Sequence, residues 1–192
     1  MEKKLTERIV ELKRAAPERE VELWCEDEAR LGLKPIVRRM WALRGQRPVA
    51  MNHTRYEWLY IYGFVRPATG ATYWLVLPMV STEAMSLALA EFARDVGAGA
   101  GKQIVLVLDG AGWHRSSELL VPLGVEVVFL PASTPELQPA ERLWPMVREA
   151  VANRSFESLD ELQERLVERC LQLAEQSEAV QAATNYHWLP AA

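Results

Sequence analysis

The chain of 192 residues has two cysteines, Cys25 and Cys170. They are too few and too far apart for a disulfide framework or a thiolate zinc cage, and they read as buried free thiols. It has no apolar run of 18 residues, which excludes an obvious membrane-spanning helix. The amino terminus, MEKKLTERIV, is charged where a secretory signal needs an unbroken hydrophobic stretch. A cytoplasmic location with no membrane partner is the expectation. Internal repeats, low-complexity tracts and linkers are also missing. A 49% hydrophobic content over this length is enough for one compact domain and thin for two. The expected layout is a lead-in amphipathic helix over residues 1–20 and one domain over 21–192.

There is no excess of positive charge either: 22 Lys and Arg stand against 26 Asp and Glu, a net charge of −4. That argues against nucleic-acid binding by bulk attraction. The average conceals a segregation along the chain. Between Lys34 and Arg66 the basic residues are Lys34, Arg38, Arg39, Arg44, Arg47, Arg55 and Arg66 against Glu57 alone, a local net charge of +6. Residues 155–178 run the other way, with seven acids against Arg165 and Arg169. The basic stretch is interleaved with Trp41, Tyr56 and Trp58, a pattern suited to phosphate contact.

Hydrophobic spacing predicts the elements. Leu5, Ile9 and Leu12 recur at helical intervals before Pro17. VELWCED (21–27) reads as a strand ending in acids, and residues 55–65 and 71–80 read as a hairpin joined by RPATG. A helix opens at Ser81 and stops at GAGAG. KQIVLVLDG carries five apolar residues in a row before Asp109, the mark of a strand buried on both faces of an α/β sheet. VEVVFL (125–130) repeats it, and the intervening WHRSSELLVPLG is long enough for a short crossover helix, so the two strands should be parallel. Leu143, Val147 and Val151 then follow a helical interval, and a further helix is expected from Ser158 to Glu175.

In such sheets, sites form beyond the carboxyl ends of strands. Asp109 stands there, and so do Glu26, Asp27 and Glu28 of the first strand. Alternation puts Asp27 on the face of Leu23 and Cys25, with Glu26 and Glu28 on the other, but periodicity alone does not choose among them. Glu141 opens a helix after a loop stiffened by Pro131, Pro135 and Pro139, so its carboxylate is presented with little freedom. Three carboxylates within ~4 Å of one another would repel by ~4 kcal/mol per pair at an effective dielectric near 20. Divalent cations resolve that conflict.

CEDEARLGL, IVLVLDGAGWH and LPASTPELQPAERLW resemble the three acidic signatures of the catalytic domain of mariner-superfamily DDE transposases, specifically the bacterial insertion-sequence branch, over roughly residues 20–150. The resemblance implies a ribonuclease-H-like α/β fold, a mixed five-stranded sheet flanked by helices. It implies Asp27, Asp109 and Glu141 as the catalytic triad, Asp27 being preferred over Glu26 and Glu28. Two Mg2+ or Mn2+ ions would be held by those three carboxylates, flanking a scissile phosphate for strand cleavage and strand transfer. DNA, both transposon ends and target, is the implied partner, with Arg38, Arg39, Arg44, Arg47 and His114 as DNA contacts. Handling two ends implies a homodimer. Trp144 matches the family's tryptophan and reads as a core aromatic of the helix bearing Glu141. The family's usual asparagines after the second Asp and before the proline preceding the Glu are here Gly110 and Gln138. Family members usually carry an amino-terminal helix-turn-helix region, and twenty residues ahead of the first strand do not hold one, so the resemblance implies either a separately encoded DNA-recognition half or a truncated remnant. Two alternatives use the same residues: a ribonuclease-H-type nuclease acting on hybrid duplexes, and an inactive transposon remnant serving as a DNA-binding or dimerisation module.

Overall fold

A computed structural model describes residues 2–46, 55–132 and 134–190. Five strands form one sheet: β1 (Glu20–Gly32), β2 (Trp58–Arg66), β3 (Ala71–Leu77), β4 (Lys102–Leu108) and β5 (Val125–Phe129). Their order is β3-β2-β1-β4-β5, with β1 central. β1, β2 and β3 pair antiparallel, whereas β4 and β5 run parallel to β1. The sheet is therefore mixed and five-stranded, as expected. The helices are α1 (Glu2–Ala15), α2 (Thr82–Asp95), α3 (Leu143–Glu149), α4 (Leu159–Glu175) and α5 (Ser177–Thr184).

The alternation of apolar residues splits the core in two. Leu23, Cys25, Val105 and Val107 face a layer that includes Leu5 and Ile9 of α1, Leu143 and Val147 of α3, Leu162 and Leu166 of α4, and Val180 of α5. Trp24, Ile104, Leu106 and Leu108 face Met85, Leu89 and Phe92 of α2. There Phe92 stacks on Phe64 at 4.3 Å between ring centroids. The five-residue apolar run of β4 is buried on both sides because each face has its own helical cover. β1 runs five residues past the expected end at Asp27, because β2 continues to pair with it as far as Gly32. Its acids are tolerated where they meet partners: the buried Glu22 pairs with Arg66 at 2.9 Å and Lys102 at 3.0 Å.

Three further details differ from the sequence reading. The connection between β4 and β5 holds turns rather than a crossover helix. Single turns close at Ala111–His114 and Ser116–Leu119, and Pro122 and the positive φ of Gly124 end any continuation. The strands are parallel nonetheless. α3 stops at Glu149, before Val151, and α5 is an additional short helix that buries Val180 and Thr184.

Candidate active site

Register brings two of the acids together. Cys25 of β1 pairs with Val107 of β4 in parallel, so two residues further along each strand stand Asp27 and Asp109, side by side on the same face. The third arrives from the proline-rich loop. Pro135 and Pro139 each open a 3-10 turn, Pro135–Leu137 and Pro139–Arg142, and the second carries Glu141 directly into α3. Gln138, between the two turns, is buried and donates its side-chain amide to the carbonyl of Glu26 at 2.9 Å, which ties the loop to the middle of β1. Asp27, Asp109 and Glu141 line one cavity of about 480 Å³, together with Gly110, Arg115 and Gln138.

Each carboxylate has a different environment. Asp27 is largely buried, and burial pushes its carboxyl up to about 7, with the charges of Glu141, Glu28 and Asp109 adding to the shift. Against them, the indole N–H of Trp144 donates to Asp27 Oδ2 at 2.6 Å. That approach depends on Gly63, the residue opposite Asp27 across the β1–β2 ladder. A Cβ there would lie 2.9 Å from the Trp144 ring and 3.0 Å from that of Trp74. Trp144 is buried as the sequence suggested, but it also holds a carboxylate.

Asp109 is half-exposed. The ring of His114 at 2.7 Å and the N–H of Ala111 at 2.9 Å hold it below the ordinary aspartate range. Glu141 is exposed at the cavity mouth.

His114, anticipated among the DNA contacts, is 1% exposed. Its Nδ1 faces Asp109, and its Nε2 lies 3.0 Å from Glu28 Oε1 and 4.0 Å from Glu26 Oε2. Burial opposes its charge, but hydrogen bonds to Asp109 and Glu28 outweigh that and raise it to about 9.

Arg38, Arg39 and Arg44 lie exposed in the irregular segment between β1 and β2, away from the cavity lining. The base of that segment is fixed by an Ile36–Ala152 bridge and by the Arg38 N–H on Asn153 Oδ1 at 2.8 Å. Arg47 lies outside the described residues. Arg66, from the same basic stretch, is engaged by Glu22. Arg115 was not singled out from the sequence, yet it lines the cavity and lies over Phe129 at 4.6 Å from the ring centroid. Its guanidinium occupies the space that a side chain at residue 110 would enter, 3.1 Å from the position of a Cβ there. Its proximity to the second motif, WHRS, was the available signal.

The family model of the DDE superfamily endonuclease matches residues 22–163, most of the chain and all three acids. The chain belongs to the DDE endonuclease superfamily. An uncharacterized protein of Sinorhizobium fredii strain NGR234, y4pE/y4sA, is 44% identical to this DDE endonuclease chain over 106 residues, 55% of this chain and 77% of the other. Among solved structures, the Mos1 mariner paired-end complex with Mn superposes with a TM-score of 0.57 at 15% identity, covering 96% of this chain and 62% of that one. The isolated catalytic domain of Mos1 mariner transposase gives 0.53 at 14% identity, covering 97% and 93%. The fold is thus that of a ribonuclease-H-like transposase catalytic domain. This DDE chain spans about 62% of the length of the Mos1 transposase in the paired-end complex with the left transposon end. No helix among the described residues is long and apolar enough to cross a membrane.

Proposed function

We propose that the chain acts as the catalytic domain of a metal-dependent DNA transposase of the bacterial insertion-sequence type, with Asp27, Asp109 and Glu141 as its catalytic carboxylates. The observation that carries this reading is the meeting of these three acids, from two parallel strands and a proline-stiffened turn, on one cavity of a DDE-family fold. The cavity's chemistry fits hard divalent cations: its side-chain acids are oxygen donors, and the burial and neighbouring negative charge that raise Asp27 are what a bound cation would offset. Mg2+ or Mn2+ held by Asp27, Asp109 and Glu141 would supply activation of an attacking hydroxyl and stabilisation of a leaving oxygen in phosphodiester cleavage and strand transfer.

The remaining work belongs to the chain. Trp144 fixes Asp27, His114 and the Ala111 N–H fix Asp109, and Gln138 anchors the turn that presents Glu141. Arg115 places a cation on the cavity wall, where a scissile phosphate would need one. Arg38, Arg39 and Arg44, exposed on the segment after β1, contact DNA phosphates, and Arg47 is assigned the same role from the sequence. The same segment exposes Val37, Met40, Trp41 and Leu43, apolar surface suited to a second copy of the chain, and a homodimer would handle two DNA ends.

Cleavage of an end-mimicking DNA in Mn2+ tests the reading. Asp109→Ala should reduce the rate by about 10³-fold or more, the several kcal/mol that metal-held charge stabilisation contributes. Equal rates in wild type and variant would remove the catalytic role, and DNA binding without cleavage in either would leave a DNA-binding module. Replacing Arg38, Arg39 and Arg44 together with Ser should lower the slope of log affinity against log salt by roughly 0.9 per lost phosphate contact.

A further inference from the structure

Behind the triad, on the α2 face of the sheet, lies a second group of ligand-type side chains. Glu26 is completely buried, and neither of its carboxylate oxygens has a hydrogen-bond partner among the described residues. An ionised carboxylate left in that state is strongly unfavourable; burial and the neighbouring acids Glu28, Asp27 and Asp109 push Glu26 well above the usual carboxylate range, and a cation held there would relieve both. Glu26 stands beside Glu28 and His114. One ligand atom from each of the three residues lies within 4.8 Å of the other two. The separation is 3.0 Å between His114 Nε2 and Glu28 Oε1, and 4.0 Å between the same nitrogen and Glu26 Oε2.

We propose that Glu26, Glu28 and the Nε2 of His114 form a site for one divalent transition-metal ion of the zinc class, separate from the three carboxylates of the cavity. Ligand atoms at tetrahedral zinc, with bonds of about 2.0–2.1 Å, stand about 3.3 Å apart. The present spacing brackets that value, so a small closure of Glu26 completes the set. The histidine is held by its other nitrogen. Its Nδ1 lies 2.7 Å from Asp109 Oδ1 and donates Nδ1–H to that carboxylate, while Nε2 lies 3.0 Å from both Glu28 Oε1 and the indole nitrogen of Trp113, so a cation would displace the Nε2 proton and take its place between the two glutamates. This carboxylate–histidine arrangement orients and strengthens metal-binding imidazoles. The indole N–H of Trp113 lies 3.0 Å from Glu28 Oε1 and completes an outer shell around that ligand. One imidazole with two carboxylates selects zinc or a similar transition ion over magnesium, which prefers oxygen alone. The bound ion would pin the loop after β4 to the middle of β1, with Asp109 joined to it through the His114 ring.

The site shares no ligand with the proposed catalytic ions, so the two are separable. The full chain and the Asp27→Asn/Glu141→Gln variant are loaded with Zn2+, dialysed, and assayed for metal by plasma mass spectrometry and calorimetric titration. Retention of about one zinc per chain in both, with at least a tenfold loss in Glu26→Gln, is the expected result. Absence of retained zinc in the Asp27→Asn/Glu141→Gln chain, or undiminished zinc in a Glu26→Gln chain folded by circular dichroism, overturns the site. If Glu26→Gln does not fold, X-ray absorption on the wild-type chain decides: a shell of one imidazole with oxygens supports it, and a shell without imidazole overturns it. Loss of DNA cleavage in Asp27→Asn/Glu141→Gln with zinc retained would leave both proposals standing, whereas full cleavage there would refute the catalytic reading alone.

Discussion

Where β1 runs on past its pairing with β4, consecutive acids point to opposite faces of the sheet and meet different surroundings. Asp27 opens onto a cavity with Asp109 and a solvent-exposed Glu141, held by one indole N–H. Glu26 and Glu28 turn to the other face and gather beside His114. The first set lines open space. The second is almost closed off from solvent. Asp109 touches both, lining the cavity while it bonds His114, so the sheet end works as two linked acidic compartments rather than one acidic patch. The lesson is that carboxylate density alone does not mark a nuclease site. What distinguishes the two sets is which one faces open space.

The largest test of that contrast is pH. Asp27 and Asp109 line the same cavity, yet burial and neighbouring acids raise Asp27 to about 7, while His114 holds Asp109 low. In the metal-free protein a carboxyl raised in the fold contributes stability that is present below its unfolded value, near 4, and lost as pH rises through about 7. His114, raised to about 9 from an ordinary 6.5, contributes stability that fades between those values. Metal binding has the opposite sign, because a cation must displace the Asp27 proton. Apparent Mn2+ affinity should therefore fall about tenfold per pH unit below 7, some hundredfold between pH 7 and pH 5. Titration calorimetry at several pH values measures it. A flat profile would mean that Asp27 is not a ligand, and the distinction between the two triad aspartates would disappear.

A smaller effect is expected from Trp144→Phe, which keeps an aromatic ring against Trp74 but deletes the donor to Asp27. A hydrogen bond to a charged group is worth roughly 1.5–3 kcal/mol, so the loss of stability by denaturant unfolding should fall in that range above pH 7 and shrink below it. The midpoint of Mn2+ binding should move to higher pH, since this N–H is the partner that lowers the Asp27 carboxyl. An unchanged midpoint would reduce Trp144 to packing alone.

Much of this was legible in sequence where a single element dictates the outcome. β4 announced itself because a strand covered on both faces must be apolar throughout, and its end placed Asp109. The proline spacing announced a rigid delivery of Glu141, since each ring fixes φ locally. Long-range facts were not legible. Alternation separated Asp27 from Glu26 and Glu28, but only the docking of α3 and its preceding turn decides which face opens on the cavity. The target of the Trp144 N–H lies 117 residues away. The crossover between β4 and β5 had the length of a helix without being one, because Gly110, Gly112, Pro122 and Gly124 divide it into turns. His114 likewise sits where the motif suggests, while the turn at Ala111–His114 aims its ring inward.

The smallest expected effect concerns Gly110, which joins Asp109 to the loop carrying His114 and stands where family members usually have asparagine. Its φ is not in the left-handed region, so glycine is not demanded by the backbone. A Cβ would meet only the Arg115 guanidinium, at 3.1 Å from Nε and 3.3 Å from Nη2, the mobile end of a side chain. Gly110→Asn should therefore change stability by less than about 1 kcal/mol, the range of substitutions away from strained or packed positions. What it should alter is the cavity wall. Displacing Arg115 removes a cation from the lining, so DNA affinity should weaken and its salt dependence flatten by about one phosphate contact, while His114 keeps its bond to Asp109. If Gly110→Asn instead unfolds the chain or abolishes zinc retention, the loop after β4 is not free to yield on the cavity side. The two acidic compartments would then be mechanically one.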